Sequence, residues 1–161
     1  MSRRSFLNLL SSLGLGGAAA AGEAAPVAAR ADRVELSDAE WKKRLADGAY
    51  RVLRHEITEP PHSSALNKEK RAGSYHCAGC DLALFASSAK YDSGTGWPSF
   101  FAALPDAVAT RTDYKMILPR TEYHCARCDG HQGHVFADGP RPTGQRYCNN
   151  GVALRFAPVV A

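Results

Sequence analysis

The sequence predicts a mainly β domain (α+β) preceded by two short helices. Its C-terminal part consists of short runs rich in aromatic and β-branched residues, separated by Gly, Pro, Asp and Asn; they are GSYHC, LALFAS, YKMILP, EYHC, HVFA and VALRFAPV. Such runs are typical of antiparallel strands. Upstream, Ser37 and Glu40 have capping-box spacing, and Trp41 and Leu45 share one helix face. We expect Gly48 to end this first helix and AYRVLRH to form a second.

The first 31 residues are interpreted as a secretory signal peptide rather than as part of the domain. Arg3 and Arg4 precede a mostly apolar run over residues 6–21, and Ala-x-Ala sites follow. The SRRSFL stretch resembles a twin-arginine signal, which exports folded proteins. A membrane anchor is the alternative, but the run is shorter than the ~20 apolar residues that a span requires. We therefore expect cleavage of the signal, one domain over residues 32–161 and a periplasmic location.

The charge of the chain argues against a nucleic-acid-binding function. The formal net charge is +4, and the leader contributes three arginines and one glutamate, so the domain carries +2. That charge is too small for a surface that binds nucleic acid phosphates. No other apolar run is long enough to cross a membrane, so we expect no stable membrane insertion. A domain of about 130 residues can bury one core without disulfides.

Four of the five cysteines form two C-x-x-C pairs, which predict a metal site. Cys77 and Cys80 form the first pair, Cys125 and Cys128 form the second, and 44 residues separate the pairs. Each pair stands where a strand-like run meets a turn, so four thiolates can meet at tetrahedral corners around Zn²⁺. A structural zinc contributes on the order of 10 kcal/mol to folding. Disulfides or redox pairs are the alternative in an exported protein, although no thioredoxin-like βαβ pattern surrounds either pair.

The fifth cysteine, Cys148, is a candidate nucleophile. If zinc occupies the other four thiols, Cys148 is free, and its neighbours in QRYCNN are polar and partly cationic. A small buried hydrophobic residue is the alternative interpretation. A free thiol has a pKa of about 8.5, and a nearby cation lowers that pKa and increases the reactive thiolate fraction.

Two stretches upstream of Cys148 supply acid–base and apolar groups. DGHQGHVFADG contains His131 and His134, followed by Asp138. A surface or core histidine is the ordinary interpretation of either imidazole, and metal ligation is a second, but the cysteines already provide a zinc site. The third interpretation is acid catalysis beside the thiol, with Asp138 setting the tautomer of a histidine. Trp97, in SGTGWPSF, is either a core anchor or the apolar wall of a binding pocket.

Four stretches together resemble the methionine-R-sulfoxide reductase B family: CAGC, SGTGWPSF, CARCDGHQGHVFADGP and TGQRYCNN. They occur in the order and spacing of that family, and the resemblance covers residues 36–158. It implies two antiparallel β-sheets forming a small barrel-like domain with short N-terminal helices. It also implies one structural Zn²⁺ per chain, held by the four paired cysteines away from the active site. The implied activity is thiol-dependent reduction of the R epimer of methionine sulfoxide in proteins.

The same resemblance implies roles for the residues around the free thiol. Cys148 is expected to attack the sulfoxide sulfur and to become a sulfenic acid. His131, His134 and Asn150 are expected to surround the sulfoxide, and one of the two imidazoles is expected to protonate its oxygen. Asp138 is expected to orient His134.

Specificity and the reductant depend on three further positions. Trp97 is expected to face the ε-methyl group of the substrate, and Arg146 is inferred to help hold the charge of the thiolate. Many members of the family carry a resolving cysteine in this glycine-rich stretch, where this chain has Thr95. We therefore expect an external thiol, supplied by a thioredoxin-like periplasmic protein, to reduce the sulfenic acid of Cys148. The enzyme is expected to act as a monomer on oxidised proteins.

Two other classes of function compete with this interpretation. A thiol–disulfide oxidoreductase would use a C-x-x-C pair as its redox centre, and tightly bound zinc would count against it. A zinc-knuckle module that binds nucleic acid or protein is disfavoured by the low charge, by the export signal and by the lone Cys148 among polar residues.

Overall fold

The computed structural model describes residues 30–160, which form two antiparallel sheets and two short helices. The signal peptide predicted for residues 1–31 lies, apart from its last two residues, outside this part of the chain. Within residues 30–160 no helix has the length and apolar character that a membrane span requires. The helices and strands, numbered in chain order, are α1 (Asp38–Arg44), α2 (Asp47–His55), β1 (Gly73–Cys77), β2 (Ala83–Ala86), β3 (Lys90–Tyr91), β4 (Ser99–Phe100), β5 (Val108–Asp113), β6 (Arg120–Cys125), β7 (His131–Phe136), β8 (Arg146–Asn149) and β9 (Leu154–Pro158).

Helix α1 begins at the predicted capping box. The backbone N–H of Glu40 donates to Oγ of Ser37 at 3.4 Å, and the backbone N–H of Ser37 donates to the Glu40 carboxylate at 2.8 Å. Trp41, which directly follows Glu40, is buried in the core. The prediction that Gly48 ends this helix is wrong, because the chain already leaves the helix at Leu45, whose backbone is extended, and Gly48 lies in the first turn of α2.

The two sheets enclose an aromatic core. The small sheet has the strand order β2-β1-β9, and the large sheet has the order β3-β4-β8-β7-β6-β5. Phe85 of the small sheet stacks on Phe100 of the large sheet with ring centroids 4.2 Å apart, and Tyr75 packs edge-on against the same ring at 4.9 Å. The prediction of two antiparallel sheets with short N-terminal helices is therefore confirmed, while their closure into a barrel stays a prediction.

The prediction that the run YKMILP forms a strand is wrong. YKMILP forms the loop between β5 and β6, and the side chains of Tyr114, Ile117 and Leu118 are largely exposed. A strand with one solvated face still buries alternate side chains against the core. No such alternation exists here, because Ile117 and Leu118 are consecutive residues and the side chains of both are exposed.

Candidate active site and four-cysteine cluster

The four paired cysteines meet in one buried cluster, as predicted. Their Sγ atoms all lie within 4.8 Å of one another. Across the two pairs, Sγ of Cys77 lies 3.6 Å from Sγ of Cys128, and Sγ of Cys80 lies 3.5 Å from Sγ of Cys125. Four buried sulfur atoms at these separations form a donor set that can hold one metal ion.

The local sequence builds both halves of this cluster in the same way. Each pair begins on the last residue of a strand, Cys77 in β1 and Cys125 in β6, and turns back toward the next strand. The backbone N–H of Asp81 donates to the carbonyl of Cys77, and the N–H of Asp129 donates to that of Cys125, each at 2.9 Å. Both aspartates adopt positive φ values, of 64° and 58°. Asp tolerates this conformation better than most residues, so C-x-x-C-D closes a tight turn here.

A cavity of about 140 Å³ opens beside the fifth cysteine, Cys148. An apolar cavity of about 150 Å³ holds a molecule the size of benzene, so this one suits the end of a single side chain. The lining residues are Thr58, Trp97, Arg120, Gly133, His134, Phe136, Cys148, Asn149 and Asn150. Of the residues expected around the substrate, Trp97, His134, Cys148 and Asn150 line this cavity, and His131 does not.

Cys148 lies in the middle of the large sheet, where two neighbouring strands supply its surroundings. On β8 it pairs in register with His134 of β7 on one side and with Ser99 of β4 on the other. Its side chain is partly exposed. Burial raises the pKa of the Cys148 thiol above its ordinary value, although the charge of Arg146 and a hydrogen bond from Thr95 act in the opposite direction. The resting side chain is therefore a protonated thiol at neutral pH.

The two histidines occupy different environments. His134 lines the cavity and its Nε2 lies 2.8 Å from Oδ2 of Asp113. Burial lowers the pKa of His134 below the ordinary value of 6.5, although Asp113 counteracts that effect. His131 is fully buried next to it, with ring centroids 5.5 Å apart, and its Nδ1 lies 2.7 Å from the carboxylate of Glu122. Its Nε2 has no hydrogen-bond partner among the described residues.

The expected contact between Asp138 and His134 is not formed. The carboxylate of Asp138 accepts two hydrogen bonds from the guanidinium of Arg146, each at 2.8 Å. The register of β7 and β8 explains this pairing, because Phe136 lies opposite Arg146 and Asp138 follows just beyond the strand. Asp138 therefore orients the cation near Cys148, and Asp113 orients the histidine.

Glu59 joins two residues of the cavity wall. Its backbone carbonyl accepts a hydrogen bond of 3.0 Å from the indole Nε1 of Trp97, and its backbone N–H donates to Oδ1 of Asn150 at 3.0 Å. The amide nitrogen of Asn150 in turn donates to the carbonyl of Gln132 at 3.0 Å. The carboxylate of Glu59 is buried and accepts a hydrogen bond from the backbone of Gly151. The indole and the amide are thus fixed by one short segment.

Three supporting residues were not identified from the sequence: Asp113, Glu122 and Glu59. Asp113 stands 21 residues from its histidine, and Glu122 stands nine residues from His131. No spacing pattern singles out an acidic residue at such distances. Only the strand register of the large sheet brings these carboxylates to the imidazoles.

Comparisons with known proteins show to which family this chain belongs. Residues 45–158 match the SelR domain family. A peptide methionine sulfoxide reductase MsrB from Pseudomonas putida (strain W619) is 51% identical over 127 residues, which are 78% of this chain and 96% of that protein. The MsrB of Methanosarcina barkeri is 49% identical over 124 residues, covering 76% and 87% of the two chains. The chloroplastic peptide methionine sulfoxide reductase B1 of Oryza sativa subsp. japonica is 50% identical over 122 residues, which are 75% of this chain and 57% of that protein. This chain therefore belongs to the MsrB family of peptide methionine sulfoxide reductases.

Proposed function

We propose that this enzyme reduces the R epimer of methionine sulfoxide in proteins, with Cys148 as the nucleophile. One observation carries the proposal: a single thiol reaches a side-chain-sized cavity that also contains His134 and Trp97, whereas the other four thiols are buried together. All five cysteines of the sequence are free, and only Cys148 is partly exposed. The cavity therefore offers one nucleophile, one titratable imidazole and one apolar wall.

In the first step, oxygen moves from the substrate to the enzyme. The sulfur of Cys148 attacks the sulfoxide sulfur as the sulfoxide oxygen is protonated, so an S–S bond forms in a covalent adduct. The hydroxyl group then transfers from the substrate sulfur to the Cys148 sulfur, and both the S–O bond of the substrate and the S–S bond of the adduct break. Methionine leaves after gaining two electrons. Cys148 loses two electrons and retains the oxygen as a sulfenic acid. No net proton is consumed, because the thiol proton of Cys148 ends on the sulfenic oxygen.

His134 can carry that proton from the Cys148 thiol to the oxygen of the sulfoxide. The resting thiol of Cys148 and the resting imidazole of His134 share a single proton, because the pKa of the thiol is raised and the pKa of the imidazole is lowered. The hydrogen bond to Asp113 occupies Nε2, which leaves Nδ1 to exchange a proton with a ligand. Transfer from thiol to imidazole creates the thiolate and the acid at the same time.

Selectivity for one epimer follows from the difference between the two sides of the cavity. The indole nitrogen of Trp97 is already bonded to Glu59, so the ring offers the substrate an apolar surface. His134 offers a proton donor across the cavity. In the accepted epimer the methyl group contacts Trp97 and the oxygen meets the imidazole. Exchange of the two groups would leave the oxygen against the indole without a hydrogen bond, which sites of this kind reject strongly.

The return of Cys148 to the thiol requires an external thiol donor. The four other cysteines are enclosed in their cluster, and Thr95, which is close enough to the Cys148 sulfur to lower its pKa, has no thiol. A donor with two thiols transfers two electrons to the sulfenic acid, the oxygen leaves as water, and the donor becomes a disulfide. We propose a thioredoxin-like partner in this role.

Zinc fits the four-cysteine cluster. Tetrahedral Zn–S bonds of about 2.3 Å place neighbouring sulfur atoms about 3.8 Å apart, close to the 3.5 and 3.6 Å found between the pairs. Cys77, Cys80, Cys125 and Cys128 would hold the ion, which supplies folding free energy by fixing the end of β1 to the end of β6. The proposed reaction uses none of these residues.

The leader supports a periplasmic location. Export of an already folded protein would allow the cysteines to bind zinc in the reducing cytoplasm before they meet an oxidising compartment. We propose that the exported enzyme acts as a monomer. Fractionation of cells that produce the full chain tests the periplasmic location, and recovery of the uncleaved protein in the cytoplasm would contradict that location.

The decisive experiment uses separated epimers. Wild type and Cys148→Ser are supplied with the R or S epimer of N-acetyl-methionine sulfoxide and dithiothreitol. We expect turnover of the R epimer only, and none in the variant, which should keep its metal content and melting temperature as evidence of correct folding. Turnover of both epimers, or activity in a folded Cys148→Ser, would contradict the proposal.

A further inference from the structure

The loop between β5 and β6, residues 114–119, exposes a concentrated apolar surface. Among the described residues, eight large hydrophobic side chains are exposed, and four of them lie in this one loop. Ile117 is fully exposed, and Tyr114 and Leu118 are each 76% exposed. Single exposed hydrophobic residues are common, but a contiguous group marks a binding surface.

This surface continues into the catalytic cavity. A second cavity of about 560 Å³ lies under the loop, and Met116, Ile117 and Leu118 line it. Arg120 and Phe136 line both this cavity and the one that contains Cys148. A ligand whose reacting group lies at the thiol therefore has an apolar surface directly at the rim.

The base of the loop is held by the residue that holds the catalytic imidazole. Asp113 accepts a hydrogen bond of 2.8 Å from the backbone N–H of Lys115 and one of 2.7 Å from the guanidinium of Arg120. The side chain of Lys115 also pairs with Glu56. Both ends of the loop are thus fixed to polar partners, so its apolar tip projects from a defined position beside the cavity.

We propose that residues 114–119, here called the apolar loop, bind the polypeptide that flanks the methionine sulfoxide and favour substrates with apolar side chains beside it. This inference rests on the proposed function. Methionine is an apolar residue that is mostly buried in folded proteins, so its sequence neighbours often share its buried environment. A sulfoxide that reaches the Cys148 cavity from a locally unfolded chain brings those neighbours to the rim. An extended chain advances about 3.3 Å per residue, so the nearest few residues reach the apolar loop.

The test compares a large and a small substrate in the same variants. Ile117→Ser/Leu118→Ser removes the two adjacent side chains at the tip, and Val159→Ser/Val160→Ser removes two exposed apolar side chains at the end of the small sheet. Each protein is given a twelve-residue peptide with one R-sulfoxide between leucine and valine residues, the same peptide with serine in their place, and the capped amino acid N-acetyl-methionine-R-sulfoxide amide.

We expect the apolar-loop variant to raise KM for the leucine- and valine-containing peptide by about tenfold. The effect is no larger because most of the free energy gained by burying two side chains is offset by the entropy lost when the peptide becomes ordered. Its kcat/KM for the capped amino acid should stay within about twofold of wild type. The control variant should match wild type on all three substrates.

Several outcomes would overturn the proposal. An unchanged KM for the apolar peptide excludes docking on the loop, and an equal loss on the capped amino acid shows that the loop shapes the catalytic cavity instead. If wild type sediments as a dimer and the variant as a monomer, the surface belongs to a second copy. Co-sedimentation of wild type, but not the variant, with phosphatidylglycerol vesicles assigns it to a membrane. If wild type reduces none of the three substrates, the proposed function itself fails and this inference fails with it.

Discussion

Oδ2 of Asp113 lies 2.8 Å from Nε2 of His134, although His134 comes 21 positions later in the chain. Asp113 is the last residue of β5 and His134 lies within β7, so β6 between them sets their relative position. Hydrogen bonds from the backbone of Lys115 and from His134, together with Arg120, hold the pKa of Asp113 well below its usual range. This carboxylate stays ionised at neutral pH, so it favours a proton on Nε2 and leaves Nδ1 as the acceptor nitrogen of the ring.

The rate of sulfenic acid formation should depend on pH in a bell-shaped way. In the proposed mechanism, the productive state contains one proton shared between Cys148 and His134. A second proton enters below the lowered pKa of His134, and the shared proton is lost above the raised pKa of Cys148. We expect a plateau across neutral pH in single-turnover experiments, with the acid limb below the ordinary histidine value. A single limb that rises throughout with thiolate formation would contradict this proton relay.

Asp113→Asn tests which group sets the acid limb. Asp113 raises the pKa of His134, so its neutralisation should move that limb to still lower pH. Loss of the correct tautomer should also reduce the plateau rate by about 100-fold, which is the usual size of a general-acid effect. Asp106→Asn, on an exposed turn, is the matched control and should leave the profile unchanged. Identical pH–rate profiles for the two variants would show that His134 does not take part in the proton transfer.

Arg146 should lower the pKa of the Cys148 thiol. Its guanidinium acts against the effect of burial, and Asp138 acts weakly in the same direction as burial. Arg146→Gln is therefore expected to raise that pKa, which the pH dependence of alkylation by iodoacetamide measures directly. Asp138→Asn is the matched variant and should leave the pKa unchanged or lower it. A rise of equal size in both variants would show that only the Asp138–Arg146 pair as a structural unit matters.

The sequence predicted the chemically distinctive members of the site better than the residues that support them. A lone cysteine and a tryptophan between glycines and prolines are rare enough to be noticed, and Cys148 and Trp97 do line one cavity. Asp113, Glu122 and Glu59 are ordinary acidic residues whose partners lie far away in sequence. Asp138 was assigned to the wrong partner because closeness along the chain was used in place of the β7–β8 register, which gives it to Arg146.

In the fold, as in the site, local sequence patterns predicted the structure better than composition did where the structure depends on distant packing partners. The capping box at Ser37 and the C-x-x-C turns are local patterns, and both form where the sequence places them. The run YKMILP has strand-like composition but forms the exposed loop 114–119. Composition alone does not reveal this, because a strand also requires a partner and a surface to cover its apolar face.

Glu59→Ala should weaken substrate binding and stability together. The carboxylate of Glu59 accepts hydrogen bonds from the backbone N–H groups of Gly151 and Val152, and its removal leaves these partly or fully buried donors unpaired. We expect a loss of about 2 kcal/mol in the free energy of unfolding and a rise in KM, since Trp97 and Asn150 are held by the same residue. Glu59→Gln retains an acceptor oxygen and should lose less. Equal stability and KM in wild type and Glu59→Ala would contradict this role.

Metal removal should unfold the domain rather than alter its chemistry. A structural zinc contributes on the order of 10 kcal/mol, which is comparable to the net stability of a small domain. Cys125→Ser should therefore lose both the bound metal and the cooperative thermal transition. Inductively coupled plasma mass spectrometry measures the metal content. Cys148→Ser is the control and should keep both, because its thiol lies outside the cluster. A metal-free wild type with a normal thermal transition would contradict a structural metal.

The most direct test of the central claim is the fate of one oxygen atom. Reduced enzyme is mixed with one equivalent of R-methionine sulfoxide labelled with heavy oxygen, in the absence of any reductant, and the product is trapped with 4-chloro-7-nitrobenzofurazan, whose adduct retains the sulfenic oxygen. The account predicts one equivalent of methionine and a sulfenic acid on Cys148 that carries the heavy oxygen, and the S epimer should give neither. A disulfide between Cys148 and a cysteine of the metal cluster, or equal reaction of both epimers, would contradict it.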